Sequence, residues 1–343
     1  MYRFNNDYNQ GAHPNILKAL EDTNDKAYAG YGLDTISKKA AKQVKDRLKN
    51  QNADVHFLVG GTQTNFVVID SVLRPYEGVI SADSGHINVH ECGAVESCGH
   101  KILTLPHKNG KISAAQVAKL AQDYKDSTIP EHVTVPRMVY ISFPTEYGTI
   151  YSKKELSDLY KVCKKYGLYL YIDGARLSYG LAAKDNDLKF EDFGKLCDAF
   201  YIGGTKCGAL MGEALVINNK DMKPHFRNMM KENGAILAKG WLLGIQFGEL
   251  FKDDLYFKLG EKADKQADRI RKALAKKNYK LFISNKTNQI FVVLENKVMN
   301  KLAKNFIFEF EDVIDKNHTC VRFCTSWASS DEAVDALVDA IIG

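Results

Sequence analysis

Short runs rich in Val, Ile, Tyr and Phe alternate along this chain with stretches whose apolar residues recur every three or four positions. The runs Val55–Val59, Gly78–Ser81, Lys101–Leu105, Arg137–Phe143, Leu168–Ile172, Ala199–Ile202 and Ala214–Ile217 are mostly continuous in apolarity. That is the pattern of strands covered on both faces. Helical spacing fills many of the gaps, over Asp34–Lys49, Thr64–Leu73, Ser113–Tyr124 and Ser152–Tyr166. The last of these opens Ser152-Lys-Lys-Glu155, a capping box in which each side chain serves the other's free backbone N–H. Strands alternating with helices predict an α/β layer, a mostly parallel seven-stranded sheet sandwiched by helices. The last two runs lie close enough together to pair antiparallel.

Beyond about residue 245 the pattern changes. Lys258 to Lys280 carries apolar residues at 259, 263, 267, 270 and 274, an amphipathic helix with a Lys-rich face turned to solvent. Strand-like runs follow at Lys280–Ser284, Gln289–Leu294, Phe306–Glu311 and Val321–Thr325, then a helix from Asp331. The expected organisation is a large domain over 1–250, including an N-terminal segment 1–15, and a smaller C-terminal α+β domain over 251–343.

Composition narrows the function classes. At 45% hydrophobic, with 17 Tyr and 17 Phe, the chain has a core to bury and is not disordered. Its longest apolar run, Phe66 to Leu73, is broken by Asp70 and falls far short of the ~18 residues of a membrane span. The first residues show no apolar signal region, and a cytoplasmic protein is expected. A net charge of +5 is too small and too dispersed for a nucleic-acid binder. The seven cysteines are scattered without a Cys-x-x-Cys, as suits reduced thiols rather than a disulfide framework.

In such a sheet, ligands gather beyond the carboxyl ends of the strands. Gly60-Gly61-Thr62-Gln63-Thr64-Asn65 opens a helix after the first strand. The turn is either a plain capped turn or a phosphate cradle made by a helix N-terminus. Asp173-Gly174-Ala175-Arg176 follows Tyr169–Ile172. An acid there is costly to bury unless partnered. An Asp173–Arg176 pair or an Asx turn is the plain account; a carboxylate that keeps a cationic ring nitrogen protonated is the functional one. Gly203-Gly204-Thr205-Lys206-Cys207-Gly208 follows the sixth strand, a poor setting for a casual surface charge. Desolvation there would produce a free amine suited to carbonyl chemistry. Cradle, carboxylate and lysine together are what pyridoxal 5'-phosphate needs.

The ordered set Asn6-Asp-Tyr, Gly11-Ala-His-Pro14, Tyr31-Gly-Leu-Asp34, Gly61-Thr-Gln-Thr-Asn65, His86 with Glu91, Thr145-Glu-Tyr-Gly-Thr149, Asp173-Gly-Ala-Arg176, Lys206 and Val321-Arg-Phe-Cys-Thr-Ser326 spans nearly the whole chain. In it the chain resembles the fold-type I pyridoxal-phosphate enzymes with an aspartate-aminotransferase-like fold, and among them the low-specificity L-threonine aldolase/β-eliminating lyase group. The resemblance implies that Lys206 holds the cofactor, Asp173 pairs with its ring nitrogen, Gly61, Thr62 and Gln63 bind its phosphate, and His86 stacks on its ring. It implies that Arg176 and Arg322, with Asn6 helping, grip the substrate carboxylate, a task that suits a guanidinium fork. Arg176 counts among the cofactor contacts as well. Glu91 either orients His86 or acts as a base. The family's Asn-Thr-His is Pro144-Thr145-Glu146 here, and Gly234–Lys239 replaces an Arg-containing stretch, making Lys239 the expected local cation.

The implied reaction is cleavage of L-threonine, L-allo-threonine or a related β-hydroxy-α-amino acid to glycine and an aldehyde. A β-eliminating lyase acting on another amino acid is the nearest alternative. A metal-binding protein using His86, His90 and Cys92 is a more distant one, and no metal site is expected. The resemblance also implies a homo-oligomer, a dimer or tetramer with shared active sites, in which Tyr31 or the N-terminal segment serves a neighbour.

Overall fold

A computed structural model describes all residues, Met1–Gly343. Thirteen strands run in chain order: β1 Tyr2–Arg3, β2 Asp54–Leu58, β3 Glu77–Ala82, β4 Lys101–Leu105, β5 Val135–Ser142, β6 Tyr169–Asp173, β7 Ala199–Gly203, β8 Glu213–Ile217, β9 Leu281–Ile283, β10 Gln289–Glu295, β11 Phe306–Ile307, β12 Glu309–Asp315 and β13 His318–Cys324. The central sheet has seven strands in the order β2-β8-β7-β6-β5-β3-β4. Every pairing among β4, β3, β5, β6 and β7 is parallel, whereas β8 runs antiparallel to both β7 and β2. The expected antiparallel pair is therefore present, and the α/β class follows as read.

Helices cover both faces of the sheet because both faces are apolar. Val139, Ile141, Leu170, Ile172, Phe200 and Ile202 point into the larger core, while Met138, Tyr140, Tyr171, Ala199 and Tyr201 point into the other. The period-two alternation divides each strand between the two cores. Local signals set the helix ends. Ser152 Oγ accepts from Glu155 N at 3.2 Å, and Glu155 Oε2 accepts from Ser152 N at 2.8 Å, so the capping box forms at Lys153–Tyr166.

A second, antiparallel sheet in the order β12-β13-β10-β9 packs on the C-terminal helix Asp331–Ile342 and the long helix Leu255–Lys276. The five apolar positions of that long helix are all buried. It ends at Lys276 rather than Lys280, where Asn278 takes φ 57° in the left-handed region. The run Phe306–Glu311 is not one strand. Phe306–Ile307 pairs with the N-terminal β1, and β12 begins at Glu309 to pair with β13 as an exposed edge.

Two registers bring polar residues together at one edge of the central sheet. Ser142 lies opposite Asp173 where β5 meets β6, and Gly203 lies opposite Glu213 where β7 meets β8. Because β8 is reversed, its first residue shares the sheet edge with the last residues of its neighbours.

Candidate active site

At that edge Asp173 ends β6 with 4% of its surface exposed. Its Oδ1 accepts from Tyr201 Oη at 2.5 Å and Ala175 N at 2.9 Å; its Oδ2 accepts from Tyr140 Oη at 2.7 Å and Asn65 Nδ2 at 3.1 Å. Burial alone pushes the carboxyl upward, but nearby His86 and these donors hold it below the ordinary range, so it stays ionised. The Ala175 contact is the Asx turn. The anticipated pairing with Arg176 is absent: Arg176 is held by Asp7 instead, Nε to Oδ2 at 2.6 Å and Nη2 to Oδ1 at 3.0 Å. Asp7 is buried and also accepts from Asn288 Nδ2 at 2.9 Å. Burial opposes its charge, yet Arg176 and Lys206 keep its carboxyl below the usual value.

The helix Gly61–Val72 follows β2, with Gly60 as an N-cap that offers no side chain. The first return bond is Thr64 N to Gly60 O, so the N–H groups of Gly61, Thr62 and Gln63 have no acceptor within the helix. A Cβ on Gly61 would sit 2.9 Å from Tyr201 Oη, the group that holds Asp173. Only glycine leaves that cradle open. Gly60, Gly61, Thr62 and Thr205 line one cavity of about 360 Å³ together with Asp173 and Lys206. Gln63 contributes only its backbone, since its side chain turns away to donate to Asn233 O at 3.3 Å.

Lys206 stands on the turn between β7 and β8, which Gly208 closes at φ 101°. Burial and the Arg176 charge lower the pKa of its amine, against Asp7, Asp173 and Glu213. Glu213, 4% exposed, accepts from Gly204 N at 2.9 Å. Burial pushes its carboxyl up to about 8, although the Gly204 and Thr205 hydrogen bonds and Lys206 oppose the shift.

His86 begins a one-turn helix after β3, and its Nδ1 lies 2.8 Å from Glu91 Oε1. That oxygen also accepts from Asn65 Nδ2 at 2.7 Å. Glu91 is buried, lines neither cavity of the site and meets the His86 ring at Nδ1. A second cavity of about 510 Å³ adjoins the first and contains His90, Glu311 and Arg322. Five residues belong to both: Tyr8, His86, Glu146, Arg176 and Lys206. Arg322 donates to Asn5 O and Gln289 Oε1, each at 3.3 Å, and lies 3.3 Å from Glu311 Oε1. A larger groove of about 570 Å³ along β4 contains none of these groups.

Three expected positions fall elsewhere. Asn6 lines neither cavity; its Oδ1 accepts from Tyr8 N at 3.0 Å and shapes the turn that presents Asp7 and Tyr8. Lys239 is exposed and also lines neither, because Gly234–Lys239 runs beside Tyr31, whose N donates to Ala238 O at 3.0 Å. His86, His90 and Cys92 do not converge on a point. Cys92 is exposed, and the groups that do approach one another are His86, Glu91 and Asp173; both Asp173 oxygens and Glu91 Oε1 are already engaged by hydrogen-bond partners.

Sequence reasoning missed Asp7, Tyr8, Glu146, Thr205 and Glu213. Tyr8, Glu146 and Thr205 belong to motifs or turns visible in the sequence, but Glu213 sits at the start of a strand, where no search of strand ends looks. The donor set fits pyridoxal phosphate: N–H groups with Thr62 and Thr205 for an anion, an ionised carboxylate for a ring nitrogen, and an amine of lowered pKa for an aldehyde.

The chain matches the Beta-eliminating lyase family over residues 19–297. It is 28% identical to the low specificity L-threonine aldolase of a Pseudomonas species over 338 residues, 98% of this chain and 95% of that one. A solved structure of threonine aldolase from Leishmania major superposes with a TM-score of 0.97 at 42% identity, covering 99% of this chain and 98% of that one. Histidinol-phosphate aminotransferase from Clostridium acetobutylicum, at 15% identity and a TM-score of 0.74, shares the fold over 100% of this chain and 98% of its own.

Proposed function

This chain belongs to the β-eliminating lyase family, and within it we propose a pyridoxal-phosphate-dependent carbon–carbon lyase that cleaves L-threonine, L-allo-threonine or related β-hydroxy-α-amino acids to glycine and an aldehyde. The observation that carries the reading is one cavity holding Lys206, Asp173 and the open helix N-terminus at Gly61, contiguous with a second holding Arg322. Full-length likeness to threonine aldolases favours aldol cleavage over elimination from another amino acid.

Bound pyridoxal phosphate supplies an electron sink for the pair released at Cα. Lys206 would hold it, through an amine whose pKa burial and Arg176 lower. Asp173 stays charged and keeps a proton on the ring nitrogen. Gly61, Thr62 and Thr205 take the phosphate. Asn65 and Glu91 fix the His86 imidazole, which would stack on the ring. Asp7 locks the Arg176 fork in one orientation, so that Arg176 and Arg322 together orient the substrate carboxylate.

Residues 1–250 form the cofactor-binding part in this reading and 251–343 the smaller part, with β1 tying the N-terminus to the latter. The protein works in the cytoplasm, in keeping with seven free cysteines, and no helix is long and apolar enough to cross a membrane. It assembles as a homo-oligomer, a dimer or tetramer, in which exposed Tyr31 or the N-terminal segment serves a neighbouring subunit; a monomer by light scattering would defeat that.

Purified protein given pyridoxal phosphate should turn yellow and release acetaldehyde from threonine. Lys206→Ala should abolish both borohydride trapping and turnover. Pyruvate and ammonia in place of acetaldehyde and glycine would reject the reaction but keep the cofactor.

A further inference from the structure

The proposed function leaves one step without an owner: removal of the β-hydroxyl proton. The group responsible must reach both the inner cavity, where Lys206 and Asp173 meet, and the outer one, where Arg322 waits. Among the five shared residues, Arg176 is committed to Asp7, Lys206 to the cofactor, and Tyr8 is 56% exposed. His86 has its Nδ1 held by Glu91. Glu146 is the one carboxylate common to both cavities.

Its geometry suits the task. One oxygen, Oε1, is pinned by Ser142 Oγ at 2.6 Å and by His86 N at 2.9 Å. The other, Oε2, accepts from no other residue and, unlike Oε2 of Glu91, is not sealed from the cavity. A carboxylate fixed at one oxygen and open at the other presents a basic atom in one place. Ser142 also lies 3.3 Å from Tyr140 Oη, which donates to Asp173 at 2.7 Å. Two neighbouring hydroxyls thus serve the two carboxylates separately, Ser142 donating to Glu146 and Tyr140 to Asp173.

We infer that Glu146 is the catalytic base that takes the β-hydroxyl proton of the substrate through Oε2. The O–H bond breaks, its electron pair becomes the second bond of the aldehyde C=O, the Cα–Cβ bond breaks, and its pair remains with Cα. Cα then takes a proton to give glycine, and Glu146 gives up the one it accepted. Burial raises Glu146 above the ordinary carboxylate range, and Asp173 adds to the shift, while the Ser142 hydrogen bond and His86 oppose it. A base so tuned is better matched to proton transfer near neutrality.

The assignment rests on the proposed lyase function, and its test keeps the two apart by following two reactions of one holoenzyme. Glycine α-proton exchange in D₂O, read by NMR, needs the cofactor, Lys206 and the arginines but involves no β-hydroxyl. In Glu146→Gln, acetaldehyde release from threonine should fall about 10²–10⁴-fold, while glycine exchange and the bound-cofactor absorbance persist. Glu146→Asp should recover part of the aldehyde release. In the wild type the acid limb of kcat/KM for threonine should lie above the usual carboxylate range and be missing from glycine exchange. Undiminished aldehyde release in Glu146→Gln would overturn the inference and return the proton to His86. An equal loss of both reactions would overturn it too, leaving Glu146 a packing role. A wild-type chain that neither colours with the cofactor nor exchanges glycine would sink the proposed function itself.

Discussion

Two buried aspartates show how differently the two regions of this molecule treat a charge. Asp173, at the edge of the central sheet, is met by four donors, three from β5, β7 and the helix Gly61–Val72 and one from its own turn. Asp264, on the long helix Leu255–Lys276, is comparably buried at 6% exposure, and neither of its oxygens has a hydrogen-bond partner. Both suffer desolvation. Donors and His86 reverse it for Asp173, whose carboxyl sits below the ordinary range. For Asp264 burial prevails, Asp268 and Asp185 add to it, Arg271 only partly offsets it, and the carboxyl is pushed well above. Depth therefore does not decide which acid is charged; the donors built around it do. The sheet edge gathers polar groups from distant parts of the chain to favour one carboxylate's charge, and the C-terminal region leaves an acid without donors, so that burial favours its neutral form.

The largest effect that sharpens this contrast is expected from Asp173→Asn. An amide cannot hold a ring proton, so threonine cleavage should fall on the order of 10²–10³-fold, with cofactor still trapped at Lys206. Cleavage near the wild-type rate would mean that the four donors serve packing alone.

Asn65→Ala comes next, because Asn65 Nδ2 reaches both Asp173 and Glu91 while its Oδ1 accepts from Tyr171 Oη at 2.9 Å. Its loss leaves buried polar groups unpaired and should cost about 1–3 kcal/mol in urea unfolding. An unchanged denaturation midpoint would show that the network is not needed for stability.

The smallest effect belongs to Asp264→Asn. The folded-state pKa of Asp264 is raised, so the stability linked to its proton is fully present below the unfolded-state value and is lost as pH rises toward the folded one. Asparagine does not titrate. The variant should gain on the wild type as pH rises above the ordinary carboxylate range, and little at pH 4. Thermal melts at pH 4 and pH 8 check the sign, and an advantage that shrinks with pH would contradict it.

How far the sequence reaches can be judged from particular residues. Lys206 and Asp173 are visible because each follows a buried strand in a setting too apolar for an idle charge. Gly61 is visible because two glycines open a helix. The amphipathic positions from Leu259 to Leu274 mark the long helix correctly, since period and burial are one and the same constraint there. Arg176 stands out in the sequence, but its partner does not: Asp7 lies 169 residues away, and no local spacing pairs them. Lys239 looks like a site cation from its motif, yet it stands outside the cavity lining.

Periodicity, strand-end chemistry and glycine placement are local quantities, and from them alone followed the α/β class and the candidate cradle, carboxylate and lysine; the family followed from the resemblance its ordered motifs carry. The direction of β8, the register that sets Ser142 beside Asp173, and the meeting of two cavities at Glu146 depend on contacts between segments far apart in the chain. Those contacts decide which acids stay charged, because solvation and hydrogen bonding at a point in space are summed over everything folded around it.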